Sequence, residues 1–180
     1  MNEQKNISTF IKDLKKREVV LEINDLYKSF GDNHVLKGFN MTLYQGENLV
    51  VMGKSGSGKS VMIKCLVGLL EPDSGSISVM HKDITALDQG ALDHLRAKIG
   101  FLFQGSALYD SMTVRENLEF PLRRLLKKFD SDIDTDFLVL QSLENVGLAH
   151  TIDLMPSELS GGMKRRVALA RTLILQPSII

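Results

Sequence analysis

Eight consecutive residues, Gly53-Lys54-Ser55-Gly56-Ser57-Gly58-Lys59-Ser60, satisfy the phosphate-binding loop pattern G-x-x-x-x-G-K-[ST] at every specified position. Their types suit the chemistry. Glycines reach positive φ without a Cβ penalty, so successive N–H groups can turn inward into a nest that holds an anion. Lys59 adds a point charge for β- and γ-phosphate oxygens, and the Ser60 hydroxyl is a ligand for Mg²⁺. A helix opening here would present unpaired N–H groups and the positive end of its dipole. The plain alternative is a glycine-rich turn with an incidental lysine, a pattern that average Gly and Lys frequencies rarely produce.

A second glycine-containing word, Ser160-Gly161-Gly162, opens another predicted helix about a hundred residues later. One chain therefore carries two candidate anion-binding ends, each a loop running into a helix N-terminus.

The elements that must position these ends can be read from periodicity and turn residues. Val19 to Asn24 and Val35 to Tyr44 are β-rich, with Gly31-Asp32-Asn33 as the turn between them, and predict an antiparallel β layer ahead of the loop. Phe30, just before that turn, is an aromatic on a loop edge that could lie flat against a base. Glu47 to Met52 reads as a short buried parallel strand feeding the loop, and Val61 to Val67 continues it as a helix. Glu71-Pro72-Asp73-Ser74-Gly75 stops that helix. Ser76 to Met80 then predicts a strand, Asp88 to Arg96 a short helix, and Ile99 to Phe103 another buried strand ending at Gln104. Residues 105–153 are mainly helical, with Val114 to Lys128 interrupted by Pro121 and Asp134 to Val146 following. Met163 to Leu175 is a helix ended by Pro177, and Ser178-Ile179-Ile180 is a strand beginning. Residues 1–18 are polar and Lys-rich, with Phe10, Ile11 and Leu14 on one helical face, and predict a frayed extension.

Composition narrows the classes. With 22 Lys and Arg against 22 Asp and Glu, the formal net charge is zero, which argues against a general nucleic-acid binder. A single cysteine, Cys65, rules out a disulfide framework and reads as a small buried residue. No stretch has the length of a signal-peptide apolar region or a membrane-spanning helix.

Together, the loop at 53–60, Phe103-Gln104 closing a strand, and Leu159-Ser160-Gly161-Gly162-Met163 followed by Arg166-Val167-Ala168-Leu169-Ala170-Arg171 resemble the ATP-binding subunits of ABC transporters. The resemblance runs from about Val19 to Ile180. Within that family, Gly58-Lys59-Ser60-Val61, Leu102 to Tyr109 and Leu159 to Arg166 are similar to the ATPases of phospholipid-transport systems that maintain outer-membrane lipid asymmetry, also called toluene-tolerance or MCE-associated ATPases. Most ABC subunits carry Thr where Val61 stands and Gln where Met163 stands. Val61 removes a hydroxyl that could reach the α-phosphate, about 1 kcal/mol of hydrogen bonding, while its backbone N–H remains.

The resemblance implies an α/β fold: a P-loop NTPase (RecA-like) core with an N-terminal antiparallel β layer and an inserted helical subdomain. The core takes 19–104 and 154–180, the subdomain 105–153. It implies that Phe30 stacks on adenine and that residues 53–60 with Val61 hold the phosphates of ATP. Lys59 and Gln104 are then catalytic, with Ser60 and Gln104 on the Mg²⁺ and attacking-water side. Ser160, Gly161 and Gly162 would reach the γ-phosphate held by a second copy of the subunit, so that a head-to-tail homodimer encloses two ATP molecules. Further implied partners are transmembrane permease subunits and, indirectly, a periplasmic lipid-binding protein, with no nucleic acid. The location is cytoplasmic, peripheral on the inner face of the cell membrane. The family's magnesium-binding Asp and general-base Glu follow a strand that here is Ser178-Ile179-Ile180, and no histidine stands where its switch would be, so the 180 residues are expected to bind nucleotide weakly if at all and to have very low ATPase activity. The alternatives are the ATPase of another ABC importer or exporter, a nucleotide-responsive binding module that never turns over, and a soluble DNA-repair or chromosome ATPase of the same superfamily, which the short helical insert disfavours.

Other signals have plainer readings. Asp130 to Asp136 begins like a calcium loop, but Thr135 stands where Gly is needed and Gln141 where the bidentate Glu is needed. Arg123-Arg124 and Lys127-Lys128 form a basic cluster that reads as a solvated helix face or, as the alternative, a contact with anionic lipid or a membrane partner. Leu108, Tyr109, Met112 and Phe120 are either subdomain core or part of a groove near Gln104 that receives a helix from the membrane subunit.

Overall fold

The computed structural model describes residues 17–103, 105–129 and 134–180, which form two compact units dividing between Asp93 and His94. Positions 1–16 of the extension expected over 1–18, residue Gln104 and the acidic positions 130–133 lie outside the described residues.

The first unit is built on a hairpin. Strands β1 (Val19–Phe30) and β2 (Asn33–Tyr44) pair antiparallel, turning at Gly31, whose φ of 57° is the left-handed value such a turn requires. Strands β3 (Ser74–Val79) and β4 (Lys82–Asp83) extend the sheet in the order β2-β1-β3-β4, all antiparallel. Period-2 alternation buries Leu21 and Ile23 opposite Val79 and Ile77. The alternation then slips, because Asp25 takes a left-handed φ of 44° and the ladder is irregular between Ile23 and Leu26. Asn40 holds this bulge. Its Oδ1 accepts the Asp25 N–H at 2.9 Å, and its Nδ2 donates to Asp25 Oδ1 at 3.1 Å. The extra residue returns Leu26, fully buried, to the core face.

Helix α1 (Lys59–Leu66) follows the phosphate loop and buries Met62, Cys65 and Leu66. Cys65 is the small core residue expected, and burial pushes its thiol up from its ordinary value. Helix α2 (Gln89–Ala97) starts where Asp88 Oδ1 accepts the Ala91 N–H at 2.7 Å.

The second unit is helical. Helices α3 (Val114–Phe129), α4 (Thr135–Asn145) and α5 (Gly161–Leu173) share one apolar cluster. Val114, Leu118 and Leu122 form an i, i+4 stripe on α3 that packs with Val139 and Leu143 of α4 and Val167 and Ala170 of α5. The expected interruption at Pro121 does not occur; α3 runs through it. Proline removes one i to i−4 bond, but buried Leu118 and Leu122 anchor the helix on both sides of it. Asp134 caps α4 by accepting the Phe137 N–H at 3.0 Å, and Asp136 pairs with Arg115, so the described part of the acidic run is structural. Arg123 pairs with Glu119 one turn away.

Two expected buried strands are not formed. Residues 47–52 carry no strand and are exposed, Val50 at 76% and Met52 at 87%. Of 99–103 only Ile99 pairs, in a parallel bridge with Ile179, while Leu102 and Phe103 are exposed. The expected beginning of a strand at 178–180 is present in that bridge, with the Gly100 N–H donating to Ile179 O at 2.8 Å. A buried parallel strand draws its bonds from distant segments on both sides. Among the described residues, the bridge is the single parallel pairing, and the extended sheet is antiparallel. No described helix is long and apolar enough to cross a membrane.

Candidate nucleotide site

In the first unit the loop has the shape its glycines predict. Gly56 and Gly58 take φ of 79° and 92°, and Gly58 is the cap residue from which α1 starts. A Cβ on Gly58 would come within 2.9 Å of Val35 Cγ1 and 3.1 Å of Leu36 Cδ2, so the loop's exit rests directly on β2. A Cβ on Gly53 would meet Ser57 Oγ at 2.5 Å. The turn closes where the Ser57 N–H donates to Lys54 O at 3.2 Å.

Lys59 folds back over this turn. Its ammonium donates to the carbonyls of Gly53 at 2.7 Å and Lys54 at 2.8 Å, with Ser57 Oγ at 3.4 Å. Three donors on one Nζ thus lie across the loop mouth, and Lys54, Ser55, Ser57 and Ser60 are exposed around it. Val61 is half-buried in the first helical turn. The cradle fits an anion. The chemistry of the Ser60 hydroxyl at the start of α1 suits a hard cation such as Mg²⁺.

The hairpin that supports Gly58 also presents Phe30. Phe30 is the last residue of β1, paired with Asn33 across the turn and 50% exposed. Lys28 Nζ lies 5.7 Å from the Phe30 ring centre and 2.7 Å from Asp73 Oδ1. Asp73 Oδ2 accepts the Ser29 N–H at 2.6 Å, and the Ser29 hydroxyl meets His34 Nδ1 at 2.8 Å. The Lys28 ammonium, and then the Ser29 N–H, hold the Asp73 carboxyl below its ordinary value.

In the second unit Ser160 is the N-cap of α5, its Oγ accepting the Met163 N–H at 3.2 Å. Gly161 and Gly162 are exposed in the first turn. Among the described residues a Cβ on either would meet nothing within 4 Å, so packing against them does not require glycine at either position. Helix α5 is tied down along its length, Arg166 donating to Val146 O at 3.0 Å and Arg171 to Ala107 O at 2.9 Å.

Two residues outside the sequence-predicted set matter to the second unit. Asn117, fully buried, bonds both backbone groups of Tyr109. Arg171 lies over the Tyr109 ring, and burial pushes its guanidinium down from its ordinary value while Tyr109 opposes that. An Asn in the first turn of a helix is the signal that could have flagged the first; nothing local flags the second. Tyr109 and Phe120, rings 4.9 Å apart, are exposed rather than core and line a cavity of about 610 Å³ with Phe101, Phe103, Pro121 and Arg171.

A left-handed glycine turn, a lysine folded over its mouth and a helix opening behind it define a P-loop nucleotide-binding cassette. The match of residues 36–180 to the family model described as ABC transporter places the chain in a family: it belongs to the ABC transporters, as an ATP-binding domain. The chain is 46% identical over 158 residues, 87% of its own length and 45% of the relative's, to Protein TRIGALACTOSYLDIACYLGLYCEROL 3, chloroplastic, of Arabidopsis thaliana. It is 43% identical over 162 residues, 90% of this chain and 45% of the relative, to the probable ribonucleotide transport ATP-binding protein mkl of Mycobacterium bovis. Among solved structures, it is similar to the dimeric post-hydrolysis state of the ATP-binding cassette MJ0796 bound to ADP and Pi, with a TM-score of 0.74 and 31% identity over 87% of this chain and 70% of that one. The chain spans about half the length of the curated relatives it matches.

Proposed function

We propose that this chain is part of the ATP-binding and ATP-hydrolysing subunit of an ABC transporter that moves phospholipid between membranes. The observation that carries the nucleotide reading is the Lys59 ammonium held by the Gly53 and Lys54 carbonyls across a left-handed glycine turn. Phosphate oxygens would exchange for those carbonyls, gaining charge-assisted bonds from Lys59 and N–H donors from the start of α1. Phe30 stacks on adenine, Val61 contributes its backbone N–H, and Ser60 with Gln104 serves the metal and the attacking water. Mg²⁺, when bound, supplies charge compensation for the transferred phosphoryl group. The core is 19–104 with 154–180, and 105–153 is the helical subdomain.

Ser160, Gly161 and Gly162 complete the site of a second copy. Glycine is a poorer helix former than alanine, and among the described residues nothing within 4 Å of either one requires it. Close approach of an outside group, here the γ-phosphate on a facing subunit, accounts for both, and the dimeric MJ0796 cassette supports such pairing. The assembly would sit on permease subunits at the cytoplasmic face of the inner membrane, with a periplasmic lipid-binding partner beyond them.

The phospholipid cargo is supported by the wording of Leu102 to Tyr109 and Leu159 to Arg166, and by a relative whose name contains a glycerolipid. The mycobacterial relative's name points to ribonucleotides instead. Isolation of the tagged protein with its membrane partners, followed by lipid analysis and ATP turnover with and without added lipid, decides between them. Co-purifying phospholipid that stimulates turnover is expected; stimulation by ribonucleotides alone overturns the cargo.

A further inference from the structure

In the first unit one residue binds the end of β1 to the loop that follows α1. Asp73 donates its own N–H to the Tyr27 carbonyl at 2.9 Å, accepts from Lys28 Nζ at 2.7 Å and accepts the Ser29 N–H at 2.6 Å. The three residues of β1 that precede Phe30 are therefore all tied to a single aspartate. Two positions on, a Cβ on Gly75 would collide with the Asp25 carbonyl, so the same backbone presses against the β1 bulge. The opposite end of α1 is seated on the other strand of this hairpin, through Gly58 against Val35 and Leu36. The segment from the phosphate loop to the exit of α1 is thus clamped at both ends to the hairpin that carries Phe30.

Alternation along β1 puts Lys28 and Phe30 on one face of the sheet. Lys28 Nζ lies over the Phe30 ring, 5.7 Å from its centre, within the range of cation–π attraction. The Lys28 side chain is 15% exposed and that of Asp73 42%. An open carboxylate keeps the pair's worth to stability small, but a packed stem leaves the ammonium little freedom to quit the ring. The ring itself is half exposed, so with the cation at one face the other is left for a flat ligand.

We infer that Lys28 and Asp73 are a positioning pair that holds Phe30 at a set offset from the phosphate loop, so that the site selects a nucleoside triphosphate over bare triphosphate. The inference rests on the proposed stacking of adenine on Phe30. Asp73 fixes where the end of β1 lies, and Lys28 fixes the ring. A ring free to swing must be ordered by its ligand, and that ordering is subtracted from the affinity. A triphosphate without a base gains nothing from either residue.

Titration calorimetry on the complex isolated with the tagged protein and its membrane partners tests this, with MgATP and magnesium inorganic triphosphate as the two probes. Lys28→Met keeps the stem and removes the charge. It is expected to weaken MgATP binding about fivefold and to leave inorganic triphosphate within about twofold, which also shows the variant folded. Lys28→Arg, which keeps a cation for Asp73 and the ring, should hold MgATP within about twofold of wild type. Asp73→Asn should cost about threefold for MgATP alone, and should add nothing to Lys28→Met, because the two residues act as one unit. In a Phe30→Ala background Lys28→Met should change neither probe. Equal losses for both probes, unchanged MgATP binding in Lys28→Met, or a further loss when Lys28→Met is added to Phe30→Ala overturn the inference. A Phe30→Ala variant with the wild-type ratio of the two affinities overturns the stacking itself, and the pair's role with it. If Phe30→Ala lowers that ratio while Lys28→Met does not, the pair alone is overturned and the stacking stands.

Discussion

The two glycine-containing ends of this chain stand on different foundations. Ser160 to Gly162 opens a helix whose buried face, Val167 and Ala170, belongs to a cluster with Leu118, Val139 and Leu143. Gly53 to Ser60 also opens a helix, and its exit is seated on Val35 and Leu36, but the approach to it, 47–52, is exposed and without a strand. Yet the loop still has its turn, with Lys59 lying across it. The shape of a phosphate nest is therefore set within a few residues by glycine φ values and one lysine, whereas the sheet behind it depends on segments far apart in sequence. Local chemistry and long-range support are separable, and each can be perturbed alone.

The largest effect is expected from removing support at the Ser160 end. Leu118→Ala empties a fully buried position at the centre of the helical cluster and should cost about 2–5 kcal/mol. Denaturant unfolding followed by exchange at Val139 and Val167 would read it. If the β1–β2 hairpin amides lose protection in parallel, the two units unfold as one and the contrast between the ends weakens. Next is Lys59→Ala, which leaves the glycine turn intact and removes the charge at its mouth. Affinity for MgATP should fall about 10- to 100-fold, the worth of one strong charge-assisted interaction, with the melting temperature unchanged; titration calorimetry beside a thermal melt checks both. A large drop in melting temperature would show that the two carbonyl bonds of Lys59 are structural supports of the loop.

Ser160→Ala probes the other end at its boundary. The lost cap should cost about 1 kcal/mol, because one first-turn donor, the Met163 N–H, loses its partner. Ser160→Asp keeps the cap and adds a negative charge where a γ-phosphate is proposed to sit. Stability close to wild type combined with lost turnover in the Asp variant would separate capping from catalysis; full turnover would argue against a phosphate at this end.

What was legible in advance follows the same division. The β1–β2 turn, the start of α1, the helices opening near Asp134 and Ser160 and the burial of Cys65 are each set by residues within a few positions. The apolar runs at 47–52 and 99–103 have strand composition, but composition cannot supply the neighbouring strands whose backbone groups would pair with them. Pro121 fails to break α3 for a related reason: its local penalty is real, and the buried stripe Val114, Leu118 and Leu122 outweighs it through contacts with α4 and α5. The roles of Asn117 and Arg171 are not legible in the sequence because their partners lie on other elements or loops. Nothing in the composition of α5 says that Arg171 reaches back to Ala107, 64 residues earlier in the chain.

The smallest expected effect lies in the first unit and concerns pH. Asp73 bonds Lys28 and the Ser29 N–H, which hold its carboxyl below the ordinary value of 3.8. A depressed acid binds its proton less readily in the folded state than in the unfolded state. Its contribution to stability is therefore fully present above 3.8 and is lost as pH falls through the lower, folded value. Because the pair is exposed to solvent, the contribution is small and weakens with salt. Thermal melts of wild type and Asp73→Asn should thus differ by on the order of 1–2 °C at neutral pH and low salt, and should converge in strong acid and at high salt. Local geometry gives this pair a second readout. Releasing Lys28 from Asp73 frees the cation that lies 5.7 Å from the Phe30 ring, on the hairpin that also seats Gly58. If Phe30 is the adenine platform, Asp73→Asn should shift nucleotide affinity modestly at constant stability, and adenosine should compete for the site. An affinity change with no adenosine competition would detach Phe30 from the base while leaving the phosphate loop's own claim intact.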